Sequence, residues 1–186
     1  MRSLVLAGGR SSRMGRDKAL IEVGGVACIA RVASALAAAG CEPIRIAVAQ
    51  PEDVERYGAV MPDGLDVEWV LDAVTHSGPI EAVVEALSDP LIADSDPIQL
   101  CPVDVPWVTA DLFFELEKTL GSGDLLAIPA DPQRTHPLLA RVRPAVASTI
   151  GGDRRSLHVQ FSEMEHSTLL TETSILRNVN TPDDLN

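Results

Sequence analysis

The residues of this chain best suited to chemistry are gathered near its start. The segment Leu6-Ala7-Gly8-Gly9-Arg10-Ser11-Ser12-Arg13-Met14-Gly15-Arg16-Asp17-Lys18 joins paired glycines to a run of cations. Glycines let backbone N–H groups come close to a ligand and take positive φ at no steric cost. Five of the 15 basic residues (Arg2, Arg10, Arg13, Arg16, Lys18) fall in the first 18 positions of a chain carrying 27 acidic ones. Amides and concentrated positive charge together make a cradle for a polyphosphate. It is not the P-loop pattern GxxxxGK[ST], because Gly15 stands too close to Lys18 and Ala19 follows the lysine. GxGxxG is missing too, which disfavours a hydride-transfer dinucleotide fold.

Such a loop needs a strand to enter it and further elements to bring partners to it. Leu4-Val5-Leu6-Ala7 is a short apolar run ending at Gly8-Gly9, as a buried strand feeding a glycine turn should be. From Val26 to Ala39, Ile29, Val32 and Leu36 recur at helical spacing, and Gly40 stands at the expected helix terminus. Strands are expected over Ile44 to Ala49, Val67 to Leu71, Ile98 to Cys101, Leu125 to Ile128 and Leu138 to Val142. Gly78-Pro79 opens a helix through Leu87, and Thr109 caps a helix bearing Leu112, Leu116 and Leu120. Alternating strands and helices predict one three-layer α/β domain over residues 1–186 with a mostly parallel sheet. Ligands in such sheets bind beyond the carboxyl ends of the strands, so Gly8, Asp72 and Asp104, each following a strand, should converge on one crevice.

Composition narrows the function classes. The formal charge is −12, and aromatic residues make up 3% of the chain. General affinity for nucleic acid or anionic membrane needs a neutralising basic surface, and single-strand binding needs stacking platforms; both are missing. No apolar run approaches the roughly 20 residues that span a bilayer, and no charged, cleavable leader precedes Leu4, so a cytoplasmic location is expected. Cys28, Cys41 and Cys101 have no CxxC spacing and read as small core residues. His136 reads as a hydrogen-bonded strand histidine in preference to a general base, and His158 and His166 offer no metal spacing.

LAGGRSSRMGRDK, a short strand and Gly24-Gly25 together resemble the signature of sugar-nucleotide and cofactor nucleotidyltransferases. The Arg-Asp-Lys ending is most similar to the molybdenum cofactor guanylyltransferase family. Other segments match in the same order: Gly78-Pro79-Ile80, Cys101-Pro102-Val103-Asp104-Val105-Pro106, His136-Pro137, Gly152-Asp153-Arg154-Arg155 and Asn178-Val179-Asn180-Thr181-Pro182-Asp183-Asp184-Leu185. The resemblance implies a Rossmann-like α/β/α nucleotidyltransferase that moves GMP from GTP to the terminal phosphate of molybdopterin or Mo-molybdopterin, with Mg²⁺ as cofactor. It also implies molybdenum-insertion proteins or molybdoenzymes as partners. By the same resemblance Asp104 is the metal ligand, and Arg13 and Lys18 neutralise phosphate charge. Leu6, Ala7, Gly8, Gly9, Asp72 and Gly78 contact the nucleotide, whereas Arg155, Asn178 and Asn180 serve the pterin side.

Two features depart from the family pattern. Glu81 follows Gly78-Pro79-Ile80 where a small residue and glycine are usual, and the chain stops at Asn186, barely one turn into the expected last helix. Guanylylation of adenosylcobinamide phosphate is a competing reading, although that family's loop usually ends in Glu-Lys-Pro and this one reads Asp17-Lys18-Ala19. The motifs are also compatible with cytidylyl transfer to molybdopterin and with a catalytically silent nucleotide-binding module.

Overall fold

The computed structural model describes residues 2–7, 17–71, 79–90, 96–153, 155–180 and 184. The described strands are β1 (Arg2–Leu6), β2 (Glu22–Val23), β3 (Val26–Ala27), β4 (Ile44–Val48), β5 (Val67–Leu71), β6 (Ile98–Pro102), β7 (Leu126–Ala130), β8 (Arg141–Val142) and β9 (His166–Leu170). The α-helices are α1 (Cys28–Ala38), α2 (Pro51–Gly58), α3 (Pro79–Leu87), α4 (Ala110–Thr119), α5 (Ala147–Ile150), α6 (Leu157–Ser162) and α7 (Thr173–Leu176). Seven strands form one sheet in the order β5-β4-β1-β6-β8-β7-β9. The pairs β1–β4, β1–β6, β4–β5 and β7–β9 are parallel, and only β8 runs against its neighbours. Strands β2 and β3 make a separate hairpin turning at Gly24-Gly25, both at positive φ.

Each face of the sheet carries its own core, because successive side chains of a strand point to opposite faces. Val5, Ile44, Ile46 and Cys101 pack with α1 and α4 on one face, whereas Leu4, Ala47, Ile98 and Leu100 pack with α3, α5 and α6 on the other. The predicted three layers are therefore present. Residues such as Leu36, Leu116 and Phe161 are fully buried, each contributing about 2–3 kcal/mol of apolar burial. Cys28, Cys41 and Cys101 are buried free thiols, as expected. Burial pushes the Cys101 thiol well above its ordinary pKa, and the Cys28 thiol up to about 11.

Several boundaries differ from the sequence expectation. Val26 and Ala27 belong to the hairpin, and the first helix begins at Cys28. It ends at Ala38, and Gly40 just past its C-cap turns the chain with a φ of +68°, a conformation that side chains with a Cβ avoid. The expected strand from Leu138 to Val142 is mostly a 3₁₀ turn, Pro137–Leu139, and only Arg141–Val142 pair as a strand. Proline at the first position favours that turn, which closes with Ala140 N–H donating to the Pro137 carbonyl. Helices α2, α5, α6 and α7 and strand β9 were not anticipated. Among the described residues no helix is long and apolar enough to cross a membrane.

Candidate active site

The strand order creates a crevice. From β1 the chain proceeds to β4 and β5 on one side, then returns to place β6 on the other. Loops leaving neighbouring strands in opposite directions part at such a point and open a ligand site. Val103 N–H donates to the Leu6 carbonyl at 3.2 Å, holding the two strand ends side by side. A cavity of about 560 Å³ opens there, with Leu6, Ala7, Pro102 and Asp104 in its wall. Pro79 and Ala82 of α3 line it as well, whereas Glu81 does not.

Lys18 enters this crevice from a 3₁₀ turn, Lys18–Leu20, that Asp17 caps by accepting the Ala19 N–H at 3.1 Å. The other carboxylate oxygen of Asp17 accepts hydrogen bonds from Tyr57 Oη and Arg56 Nη2, both at 2.9 Å. The end of α2 thus fixes the residue before the lysine. Tyr57 is 3% exposed, and burial with the neighbouring Asp17 charge pushes its phenol well above the ordinary range, keeping it a donor.

Lys18 Nζ lies 3.0 Å from Asp104 Oδ2 and 2.7 Å from Asn180 Oδ1. The second oxygen of Asp104 accepts from Asn178 Nδ2 at 3.1 Å. These four residues span 162 positions in the sequence. The extended segment 177–180 explains the pattern, because alternate side chains face the same way. Val179 points oppositely into a small cluster with Ile21, Cys28 and Trp107, while its N–H donates to the Asp104 carbonyl at 2.8 Å. The Asp104 loop is also held from α1, where Arg31 Nε donates to the Pro106 carbonyl at 2.8 Å. Thr109 caps α4 through the Leu112 N–H, leaving Asp104 free of that duty as the sequence suggested.

Among the expected site residues, Leu6, Ala7, Lys18, Asp104 and Asn178 line the cavity, and Asn180 joins through Lys18. Gly8, Gly9, Arg13, Asp72 and Gly78 lie outside the described residues. Arg155 is exposed, its guanidinium held by Glu163 at 2.8 and 2.9 Å and by Asp153. Arg2, counted with the cradle cations, sits at the opposite end of β1, where it pairs with Asp89 at 3.5 Å. His136 begins the 3₁₀ turn with Nε2 3.1 Å from Asp131 Oδ2. Burial lowers its pKa below the ordinary value despite that carboxylate, which keeps the ring neutral. Sequence reasoning missed Asp17, Arg56, Tyr57 and Arg134. The Pro51-Glu52-Asp53 helix start was the one available sign of α2.

The crevice at the β1/β6 switch, lined by Asp17, Lys18, Asp104 and Arg134, stands where α/β sheets of this kind bind their ligands. The sequence profile of the MobA-like NTP transferase domain matches residues 3–160. A probable molybdenum cofactor guanylyltransferase of Mycobacterium ulcerans is 30% identical over 188 residues, covering 98% of this chain and 90% of that protein. The crystal structure of molybdopterin-guanine dinucleotide biosynthesis protein A from Archaeoglobus fulgidus superposes with a TM-score of 0.73 at 22% identity, covering 100% of this chain and 95% of that one. A Mycobacterium tuberculosis protein crystallised in complex with manganese gives 0.71 at 20% identity, covering 98% and 94%. The chain belongs to the MobA-like NTP transferase family and is a nucleotidyltransferase.

Proposed function

We propose that this protein transfers GMP from GTP to the terminal phosphate of molybdopterin or Mo-molybdopterin. An oxygen of the acceptor phosphate bonds to the α-phosphorus, and the α–β bridging bond breaks with its electron pair leaving on pyrophosphate. The observation that carries this reading is the convergence of Lys18, Asp104, Asn178 and Asn180 beside Leu6 and Ala7 at the strand switch. Guanylyltransferase relatives covering nearly the whole chain support it.

This chemistry needs positioning and charge neutralisation more than a protein nucleophile. Lys18 neutralises phosphate oxygens and charge developing on pyrophosphate. Arg13 and the amides of Gly8 and Gly9 complete the triphosphate cradle, Gly78 helps to receive the phosphates, and Asp72 takes the ribose or base. Asn178 and Asn180 hold Asp104 and Lys18 from the acceptor side, where Arg155 also belongs in this reading. Among the described residues no group of three or more His, Cys, Asp or Glu could hold a metal. A single carboxylate suits Mg²⁺, which accepts one protein ligand and takes the rest from phosphate and water, so Asp104 is assigned as its protein ligand. The ion would supply charge neutralisation at the phosphates. Manganese in the M. tuberculosis protein fits a divalent ion here.

The test is pyrophosphate release from GTP with molybdopterin and Mg²⁺, with CTP as the competing nucleotide. Asp104→Ala should lower turnover at least a hundredfold without change in far-UV circular dichroism. Undiminished turnover would exclude the metal role, and faster release from CTP would replace guanylyl by cytidylyl transfer.

A further inference from the structure

The acceptor in the proposed reaction is itself a phosphate monoester, and it must approach a triphosphate of the same sign. Lys18 is committed to the nucleotide, so the acceptor phosphate needs a cation of its own. We infer that Arg134 is that cation, an assignment that rests on the phosphate-acceptor reading above. It lines the same cavity as Lys18 and Asp104. Its Nη2 donates to Asn178 Oδ1 at 3.2 Å, and the amide nitrogen of Asn178 donates to Asp104. The guanidinium therefore stands two hydrogen bonds from the carboxylate around which the reacting groups assemble.

The turn that presents Arg134 is built for rigidity. Asp131 Oδ1 accepts the N–H groups of Gln133 and Arg134 at 2.8 and 3.0 Å, and its own N–H donates to the Arg134 carbonyl at 3.0 Å. Its second oxygen meets His136 Nε2, and His136 N–H donates to the Pro129 carbonyl at 2.8 Å. Asp131 and His136 are 7% and 9% exposed. Burying such a pair is costly unless its polar atoms are satisfied, as they are here. The result is a fixed backbone from which one exposed arginine projects.

The partners of that arginine differ from those of the ion-paired arginines, and, unlike Arg31, Arg143 and Arg177, which bond backbone carbonyls, it lines the cavity. Arg45, Arg56 and Arg155 each pair with carboxylates. Among the described residues the Arg134 guanidinium makes one hydrogen bond, to a neutral amide, and no ion pair, in a chain with 27 acidic residues. A guanidinium offers five donors in a fork that matches phosphate oxygens, and a neutral amide engages little of that capacity. Arg155 holds Glu163 and Asp153, so Arg134 is the better placed of the two for an incoming anion.

The full-length protein carries the test, as wild type, R134Q and R134K. R134Q should raise the KM for molybdopterin roughly ten- to hundredfold, the loss expected for a charge-assisted phosphate contact, and R134K should recover part of it. The calorimetric Kd for GTP with Mg²⁺ and the melting temperature should stay within error of wild type. An unchanged acceptor KM, or an equal loss of GTP affinity, overturns the assignment. If wild type releases no pyrophosphate with molybdopterin, the pterin reading fails. Arg134 is then judged with inorganic phosphate, titrated against ¹⁵N-labelled protein holding GTP and Mg²⁺. A shift of the Arg134 Nε–H resonance, identified by its loss in R134Q, upholds the phosphate site, and no shift overturns it.

Discussion

Lys18 is the residue whose environment tells most about its work. It has a carboxylate and an amide oxygen as partners, and Asp17, immediately before it, is gripped from α2. Asp17 caps the 3₁₀ turn with one oxygen and receives Tyr57 and Arg56 on the other, so the lysine's backbone is set before any ligand arrives. Tyr57→Phe keeps the buried ring and deletes the donor. Loss of a hydrogen bond to a charged group should cost about 1–2 kcal/mol. Turnover should fall between a few-fold and about thirtyfold, and in a Lys18→Ala background the same change should add almost nothing. A double-mutant cycle on pyrophosphate release reads that coupling directly. Full additivity would mean that Tyr57 acts elsewhere than through Lys18.

At the scale of elements, the extended segment 177–180 is what completes the site. Asn178 and Asn180 reach Asp104 and Lys18, while Val179 anchors the segment between the β2–β3 hairpin and Trp107. Arg177 adds a stacked contact, its guanidinium 4.1 Å from the Trp107 ring centre. Val179 is fully buried, so Val179→Ala should lower stability by about 1–2 kcal/mol, through lost burial and the void left behind. Because the two asparagines hang on that anchor, turnover should fall more than GTP affinity does. Thermal denaturation beside calorimetry separates the two, and equal losses would mark a site held independently of the anchor. The alternation of Asn, Val and Asn was legible in the sequence. The identity of the surface that Val179 meets was not, because Ile21, Cys28 and Trp107 are far away along the chain.

At the scale of the whole molecule, the cavity lies where β1, β6, α3 and the 131–139 region meet, so a ligand bound there ties both halves of the sheet together. GTP with Mg²⁺ at a hundred times its Kd should therefore stabilise the fold by about 2.7 kcal/mol. The melting temperature should rise by several degrees, and chelation of the metal should remove most of the gain. No rise with any nucleoside triphosphate would end the triphosphate reading.

What the sequence determined by itself was local or periodic. Apolar runs marked β1, β4, β5 and β6, helical spacing marked α1 and α4, and Gly40 and Thr109 marked their ends. Strand ends followed by glycine or aspartate placed Asp104 at the mouth of a crevice, and the lysine at the close of the glycine loop was evident from its charge. Helix α2 was missed because it is short and polar, with Asp53 and Tyr57 its only buried residues. The strand expected at Leu138 gave way to a proline-led turn, since local backbone geometry there outweighs the apolar pattern. Only the tertiary structure could join Asp17 to Tyr57, Asn178 to Asp104, and Arg134 to Asn178. Those contacts depend on strand order and on loop paths that bring together residues 40 to 74 positions apart. Side-chain type and spacing state what each residue can do, whereas the packed sheet decides which residues meet.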